Sequence, residues 1–355
     1  MKKNFYLMTA FCAIILSACS SDTDPATGGE ESKIAKLELN ILGTTTRATG
    51  TLPGDTGAEN QINTVAVGVF NSDGSTNTIA EFTTAQVSAK SAVINCTPGT
   101  NCTLIAVANA PSGTFAGVAD KTAFIAKTVA LSQTNSGGAQ VNTNFPMSAQ
   151  ETGVNLTIAG PNNKTLNLSR LVSRISISSI QTAFDPSGQY KDATFTATDI
   201  FLYNAKSTST VNPETPTTTN LINGETAGNE YLINTLNQAI TGTAYTTPYW
   251  FYTFANDATS PTKFVIKGTF DADGVTGGEE TVYYPVVVNK SQTGTTITGG
   301  TGDATIARNQ AYKLTLTIKG KGVSSPSTDI EPAALTIGVT VQDWALVISQ
   351  DVVFE

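Results

Sequence analysis

Residues 35–41 read Ala-Lys-Leu-Glu-Leu-Asn-Ile, an alternation of apolar and polar side chains with a period of two. Such alternation is typical of a β-strand with one buried side and one solvent-facing side. Similar signals recur along the chain, for example at 65–70, 194–203 and 262–270, with Gly, Pro, Asn and Asp between them. The pattern predicts an all-β fold, and the length of 355 residues favours two tandem β-sandwich domains with one or two short helices.

Three segments give more specific local predictions. Apolar residues at helical spacing predict a helix over 114–131, with Ser112 as its cap. The apolar runs 91–96 and 102–109 flank a Pro-Gly turn and predict a β-hairpin. The stretch 207–230 is rich in Pro, Thr and Asn, which predicts a long exposed loop.

The composition excludes several classes of function. The chain has no histidine, so catalytic triads, His-ligated zinc and an imidazole general base are all excluded. The net charge is −8 and no basic cluster is present, which argues against nucleic acid as a partner. We therefore expect no enzymatic activity, no cofactor and no metal.

The first residues have the layout of a secretory signal. Lys2 and Lys3 precede an apolar run over 5–16, which is too short to span a bilayer. Leu16-Ser17-Ala18-Cys19 follows, with small residues before a cysteine that can accept a diacylglycerol. This predicts export as a lipoprotein anchored through Cys19.

Two further cysteines remain in the exported chain. Cys96 and Cys102 lie on either side of the predicted hairpin turn. Because disulfides persist outside the cytoplasm, we expect these two cysteines to be bonded to each other.

Several longer phrases of the sequence coincide in order and spacing with those of one family. Together with the lipid signal and the first strand ending at Arg47, the chain resembles the FimA-type fimbrillins, the major subunits of Bacteroidales type V fimbriae. The polar residues 20–24 after Cys19 likewise resemble the export signal of Bacteroidota surface lipoproteins. The phrases are 168–177, 283–289, 307–318 and 341–344.

The resemblance implies transthyretin-like sandwiches and a self-assembling filament. In that family an arginine-specific protease removes an N-terminal strand, and C-terminal strands of the next subunit fill the vacated groove. The implied partners are copies of the chain, fimbrial anchor and tip subunits, the maturation protease and a host surface or glycan. The implied location is a cell-surface fimbrium, preceded by an outer membrane lipoprotein.

Carried onto this sequence, the resemblance divides the chain into five parts. Residues 1–19 are the lipoprotein signal peptide with the lipidated cysteine. The tether and removable strand follow at 20–47, the N-terminal sandwich at 48–167, the C-terminal sandwich at 168–331 and the donor strands at 332–355.

The site residues follow from this division. Cleavage is expected between Arg47 and Ala48, in a Gly/Thr-rich loop, and Arg47 is one of only four arginines in the chain. The removable strand presents Ala35, Leu37, Leu39 and Ile41 on one face, and the donor presents Leu335, Ile337, Val339, Val341, Trp344, Leu346 and Ile348. From pattern alone, residues 333–354 are equally well the last hairpin of the second domain.

Other functions stay open at this point. The aromatic run 249–254 could stack on sugars in a surface glycan-binding lipoprotein, although such runs are more often core. A fimbrial tip or accessory adhesin is a further alternative, and a secreted enzyme is the least favoured one because the chain has no histidine. The acidic residues around Asp271 and Asp273 lack the spacing of a calcium loop and predict a hairpin turn.

Overall fold

The strand signals correspond to twenty-one β-strands in a computed structural model that describes residues 34–43, 57–136, 139–140, 143–330 and 334–343. Two short α-helices and three 3-10 turns accompany them in these ranges. The predicted all-β class with one or two short helices is confirmed.

The first sandwich uses the strands up to Arg170. Its seven-stranded sheet has the order β3-β2-β5-β9-β10-β1-β4. β9 and β10 pair only near Ser148 and Ser169, so the sheet folds over there and its two halves enclose the core. The strands are β1 (Ala35–Gly43), β2 (Val65–Phe70), β3 (Thr76–Glu81), β4 (Ser91–Cys96), β5 (Gly99–Ala108), β6 (Thr128–Ala130), β7 (Asn135–Ser136), β8 (Ala139–Gln140), β9 (Met147–Leu156) and β10 (Asn162–Arg170).

The second sandwich begins at Val172 and consists of two sheets. Their orders are β16-β11-β20-β21-β19 and β15-β12-β17-β18. Phe251 and Phe264 join the two sheets, with ring centroids 6.0 Å apart. The strands are β11 (Val172–Thr182), β12 (Thr194–Tyr203), β13 (Ala205–Thr210), β14 (Thr218–Ile222), β15 (Ile233–Ile240), β16 (Tyr249–Phe254), β17 (Lys263–Asp271), β18 (Glu280–Val287), β19 (Thr295–Thr298), β20 (Gln310–Ile318) and β21 (Leu335–Asp343).

A small three-stranded sheet connects the two sandwiches. Its order is β14-β13-β6, so the hairpin of β13 and β14 from the second sandwich pairs with β6 of the first. The prediction of a long exposed loop over 207–230 is therefore wrong for the hairpin. Threonine, which fills this hairpin, favours strands, and Pro213 and Pro216 are confined to its turn.

The predicted hairpin of 91–96 with 102–109 is also wrong. β4 pairs with β1, whereas β5 pairs with β2 and β9. Cys96 and Cys102 are two free, buried thiols, so the expected disulfide is not present in the structure. Burial raises the pKa of the Cys96 thiol to about 11, with the nearby Cys102 as a lesser cause, which keeps it protonated at neutral pH.

The long helix predicted over 114–131 is reduced to one short helix, α2 (Lys121–Ile125). Gly113 and Gly117 have positive φ angles of 78° and 67°, which interrupt a right-handed helix. Asp120 caps α2 in place of the predicted Ser112, accepting a hydrogen bond from the Ala123 N–H at 2.7 Å. The helix α1 (Thr84–Ala89) was not predicted; a Thr83/Gln86 capping box starts it.

Candidate assembly groove

β1 lies in the interior of the first sheet, between two strands that come from later in the chain. It runs parallel to β10, from Leu37 opposite Asn162 to Gly43 opposite Leu168. It runs antiparallel to β4, from Ala35 opposite Cys96 to Asn40 opposite Ser91. The first described element of the chain therefore fills a slot with hydrogen-bonding strands on both sides.

The side chains of β1 alternate as the sequence predicted. The four predicted core residues are at most 1 % exposed, and the residues between them face solvent. Burying a side chain the size of leucine or isoleucine contributes about 1.5–3 kcal/mol. The core residues are Ala35, Leu37, Leu39 and Ile41.

Without β1, the slot becomes a groove with two unsatisfied walls. Among the described strands, β4 has no ladder partner other than β1, and β10 keeps only its short pairing with β9. Both walls would then present unpaired backbone N–H and C=O groups above exposed apolar side chains. Such a groove binds any extended segment with matching apolar side chains. We call this slot the assembly groove.

The predicted donor strand is the counterpart of β1 in the second sandwich. β21 is also nine residues long, and it too has one antiparallel neighbour, β20, and one parallel neighbour, β19. Gly300 lies so close to β21 that a Cβ there would be 2.7 Å from Val341 Cγ2. The described apolar donor residues are buried in this strand: Leu335, Ile337, Val339 and Val341.

The remaining predicted site residues lie outside the described residues. These are the lipidation site Cys19, the cleavage residues Arg47 and Ala48, and the donor residues Trp344, Leu346 and Ile348.

A buried charged cluster between the sandwiches was not predicted. Glu59, in the 3-10 turn Gly57–Asn60, accepts hydrogen bonds from Arg174 at 3.1 and 3.2 Å and from the Tyr252 hydroxyl at 2.7 Å. Arg170 donates to the Glu59 carbonyl at 3.0 Å and also contacts Asn60. Burial and the Glu59 charge raise the pKa of Tyr252 well above its usual value. We call Glu59, Arg170, Arg174 and Tyr252 the interdomain cluster.

The sequence signal for this cluster was the scarcity of arginine. Arg308 is the third arginine in the described residues, and it donates to the backbone carbonyls of Ser169 and Pro213 at 2.7 Å each. Burial lowers the pKa of Arg308 to about 10. All arginines in the described ranges are therefore engaged in internal contacts.

The acidic residues near Asp271 and the aromatic run 249–254 lie in a turn and in a largely buried strand. In the described part of the chain, no three acidic or cysteine side chains are grouped to hold a metal ion. Asp271 and Asp273 form the turn between β17 and β18, where Asp271 accepts from the Gly274 N–H at 3.0 Å. In the aromatic run, the core holds Phe251, Tyr252 and Phe254, and only Tyr249 and Trp250 are half-buried.

Among the described residues, none of the helices has the length and apolar character needed to cross a membrane.

Solved structures share this architecture over nearly their full length. A putative cell adhesion protein from Parabacteroides distasonis has a TM-score of 0.67 and 21 % identity, covering 89 % of this chain and 99 % of that one. A fimbrilin (FimA) from Porphyromonas gingivalis has a TM-score of 0.65 and 19 % identity, with the same coverages. The fold is therefore that of the fimbrilin class of two-domain β-sandwich proteins.

Sequence comparison identifies the family within that class. The model of the major fimbrial subunit protein (FimA) matches residues 35–178, and that of the FimA4 pilin C-terminal domain matches 253–344. The type-5 major fimbrium subunit FimA of P. gingivalis is 41 % identical over 78 residues, which is 21 % of this chain and 20 % of that protein. The type-2 subunit is 40 % identical over 75 residues, again 20 % of its length. The chain belongs to the FimA-type major fimbrial subunit family, whose members are structural proteins and not enzymes.

Proposed function

We propose that the chain is a fimbrial subunit that polymerises by strand exchange at the cell surface. The precursor is exported as an outer membrane lipoprotein through Cys19, and an arginine-specific protease cuts it between Arg47 and Ala48. Residues 20–47, including β1, then leave, and the C-terminal strands of a second copy enter the assembly groove. Anchor and tip subunits of the same fimbrium are further partners.

The observation that carries this proposal is the position of β1. A nine-residue strand at the N-terminal end of the described chain is paired on both sides, and its inward side chains are fully buried. After a cut in the segment that follows Gly43, only non-covalent contacts would retain it. The vacated groove would be too costly to leave empty, because an unpaired buried backbone group costs about 1–3 kcal/mol.

The arginine contacts support Arg47 as the cleavage site. Arg170 and Arg174 are at most 3 % exposed, and Arg308 is held by carbonyl oxygens of four residues. A protease needs several residues of extended, accessible chain around its target bond. The three described arginines do not meet this requirement, which leaves Arg47.

The environment of β21 supports it as the donor strand. β21 forms nine antiparallel register pairs with β20 and four parallel pairs with β19. β1 forms six antiparallel pairs with β4 and seven parallel pairs with β10. If β21 moved into the assembly groove of a second copy, it would lose the backbone pairs of its own sheet and could form a similar number with β4 and β10 of that copy. We infer that polymerisation requires β21 to leave its own sandwich, with Trp344, Leu346 and Ile348 extending the donor beyond it.

The alternative of a glycan-binding lipoprotein has less support. Within the run 249–254, the rings of Phe251, Tyr252 and Phe254 are buried in the core. The Tyr252 hydroxyl donates a hydrogen bond to the Glu59 carboxylate. The rings of this strand that remain partly accessible are those of Tyr249 and Trp250.

The test follows cleavage and assembly of protein that starts at Ser20. After treatment with an arginine-specific protease, we expect a new N-terminus at Ala48 by mass spectrometry, followed by ladders or filaments. The Arg47→Ala variant is the matched control and should stay uncut and monomeric. Cleavage at Arg47 without any polymer, under conditions that keep the protein folded, would contradict the proposal.

A further inference from the structure

The assembly groove has five inward positions, although β1 fills only four of them with side chains. The alternation that points Ala35 to Ile41 inward continues to Gly43. A Cβ built at Gly43 would lie 3.5 Å from the Asn60 carbonyl oxygen and 3.7 Å from Ile62 Cδ1, which is ordinary van der Waals contact. The fifth position therefore accepts a side chain, and Ile62 offers it an apolar wall.

The first inward position is small. Ala35 is fully buried, and its register partner on β4 is the buried Cys96. A branched side chain at this position would have to displace closely packed neighbours, because protein cores have few voids. The groove thus has a small site at one end and a spare site at the other.

The C-terminal sequence matches this order when it is aligned from Ala333. Residues 333–341 read Ala-Ala-Leu-Thr-Ile-Gly-Val-Thr-Val, whereas residues 35–43 read Ala-Lys-Leu-Glu-Leu-Asn-Ile-Leu-Gly. Both begin with alanine at the first inward position and continue with three large aliphatic side chains. Only the C-terminal sequence carries a further aliphatic residue, Val341, at the fifth position. Ala333 lies outside the described residues, so the comparison at that position is one of sequence.

We propose a register for the exchange, which rests on the proposed strand-exchange function. Residues 333–341 of one copy enter the assembly groove of the next in the direction of β1, with Ala333 in the place of Ala35. Val341 then takes the place of Gly43 and packs on Ile62. The donor strand fills one more apolar site than β1, which favours exchange in the direction of the filament.

Two other arrangements fit the groove less well. In the unshifted register, Leu335 takes the place of Ala35 and the carboxylate of Asp343 takes the place of Gly43 beside Ile62. In the reversed direction, Val341 takes the place of Ala35 and Ala333 that of Gly43. Both put a branched side chain into the small site, and the unshifted register also sets a carboxylate against the apolar side chain of Ile62, which is unfavourable.

Disulfide cross-linking distinguishes the three arrangements with one donor cysteine. Thr336→Cys is combined with Val93→Cys, Asn95→Cys or Ser91→Cys, which lie on β4 opposite Glu38, Lys36 and Asn40. The proposed register brings Thr336 of one copy opposite Val93 of the next. The unshifted register brings it opposite Asn95, and the reversed direction opposite Ser91. The four single-cysteine variants control for the native thiols Cys96 and Cys102.

We expect covalent ladders on non-reducing gels only for the Val93 pair, after protease treatment and mild oxidation with oxidised glutathione. A ladder from the Asn95 or Ser91 pair, or polymer without a ladder in any pair, would overturn the register while leaving polymerisation intact. Failure of all variants and of the wild-type chain to polymerise would instead contradict the proposed function.

Two adjacent alanines provide an independent test without cross-linking. Ala333→Leu should slow polymerisation by about tenfold or more, because leucine overfills the small site. Ala334→Leu is the matched control, since Ala334 takes the place of the exposed Lys36. Equal polymerisation rates for the two variants would overturn the register.

Discussion

At the scale of single residues, we expect the interdomain cluster to have a strong effect on stability, because its charges are buried. Glu59 and Arg174 are both about 3 % exposed and form a buried ion pair that joins the first sandwich to β11. A buried pair contributes little compared with a well-packed apolar pair, but the loss of one partner leaves the other charge uncompensated. Glu59 therefore holds the turn Gly57–Asn60 against the second sandwich.

We expect Glu59→Gln to lower the free energy of unfolding by about 3–5 kcal/mol, because the Arg174 guanidinium would stay buried without its counter-charge. Glu151→Gln is the matched control, since its pair with Lys164 is about one third exposed on both sides. The control should cost less than about 1 kcal/mol. Urea denaturation of the two variants measures the difference, and equal effects would contradict the role given to the cluster.

The contact of Lys263 with Asp329 predicts a pH dependence at the segment that precedes β21. Lys263 donates to Asp329 at 3.0 Å, and this hydrogen bond is the main cause that lowers the pKa of Asp329. A carboxyl group whose pKa is lower in the folded state than in the unfolded state stabilises the fold at pH values above its unfolded pKa of about 3.9. This stabilisation is lost as the pH falls through the pKa of the folded state. Asp329→Asn should therefore lower the melting temperature slightly at pH 7 but not near pH 2. A difference that persists at low pH would contradict this role.

The amino-acid composition alone predicted some of these single-residue features. The absence of histidine excluded whole classes of catalysis, and the scarcity of arginine drew attention to Arg47. The partner of Arg174 could not be predicted, because Glu59 lies 115 positions away and nothing local distinguishes it from a surface glutamate.

At the scale of elements, β1 and β21 are alike in length, alternation and mixed neighbours. Their strict period of two in the sequence made both strands predictable. Burial follows that period in β1, whereas in β21 the intervening Thr336 and Thr340 are buried as well. Pairing partners were less predictable, since they depend on residues far away. The predicted hairpin of β4 with β5 was wrong for this reason. The strand that pairs with β4 is β1, which ends at Gly43, whereas β4 begins only at Ser91.

Truncation of a buried side chain of β1 should destabilise the precursor but not the filament. Leu39→Ala removes a side chain that is 1 % exposed, and such changes cost about 2–5 kcal/mol. Asn40→Ala, at the adjacent outward position, is the control. Because the filament no longer contains residue 39, denaturation of Leu39→Ala filaments should match that of wild-type filaments. Weaker variant filaments would show that β1 is retained after cleavage.

Filling the fifth inward position should delay exchange. Gly43→Val adds an apolar side chain against Ile62, so the cleaved strand should dissociate more slowly and polymerisation should slow with it. The measurement is the amount of peptide 20–47 that remains bound to freshly cleaved protein on size-exclusion chromatography. Leu42→Val, at the exposed position beside it, should leave this amount unchanged. Unaltered retention in Gly43→Val would argue against a usable fifth position.

At the scale of the whole molecule, two connections make the pair of sandwiches act as one subunit. One is the interdomain cluster, and the other is the sheet in which β6 of the first sandwich pairs with β13 of the second. A filament joined by strand exchange in the first sandwich and strand donation from the second requires such coupling. The sequence predicted two sandwiches from length and strand spacing, but not this connection, because the Pro- and Thr-rich hairpin resembles an open loop.

Hydrogen–deuterium exchange of β4 reports whether β1 is replaced, because β1 is the one strand of the described residues that pairs with β4. We expect slow exchange of the Ser91–Cys96 amides in the precursor, fast exchange in freshly cleaved monomer and slow exchange again in the filament. The strands β2 and β5, which do not border the groove, should stay protected throughout. Unchanged protection of β4 after cleavage, or filaments in which β4 still exchanges quickly, would contradict the replacement of β1 by a strand from a second copy.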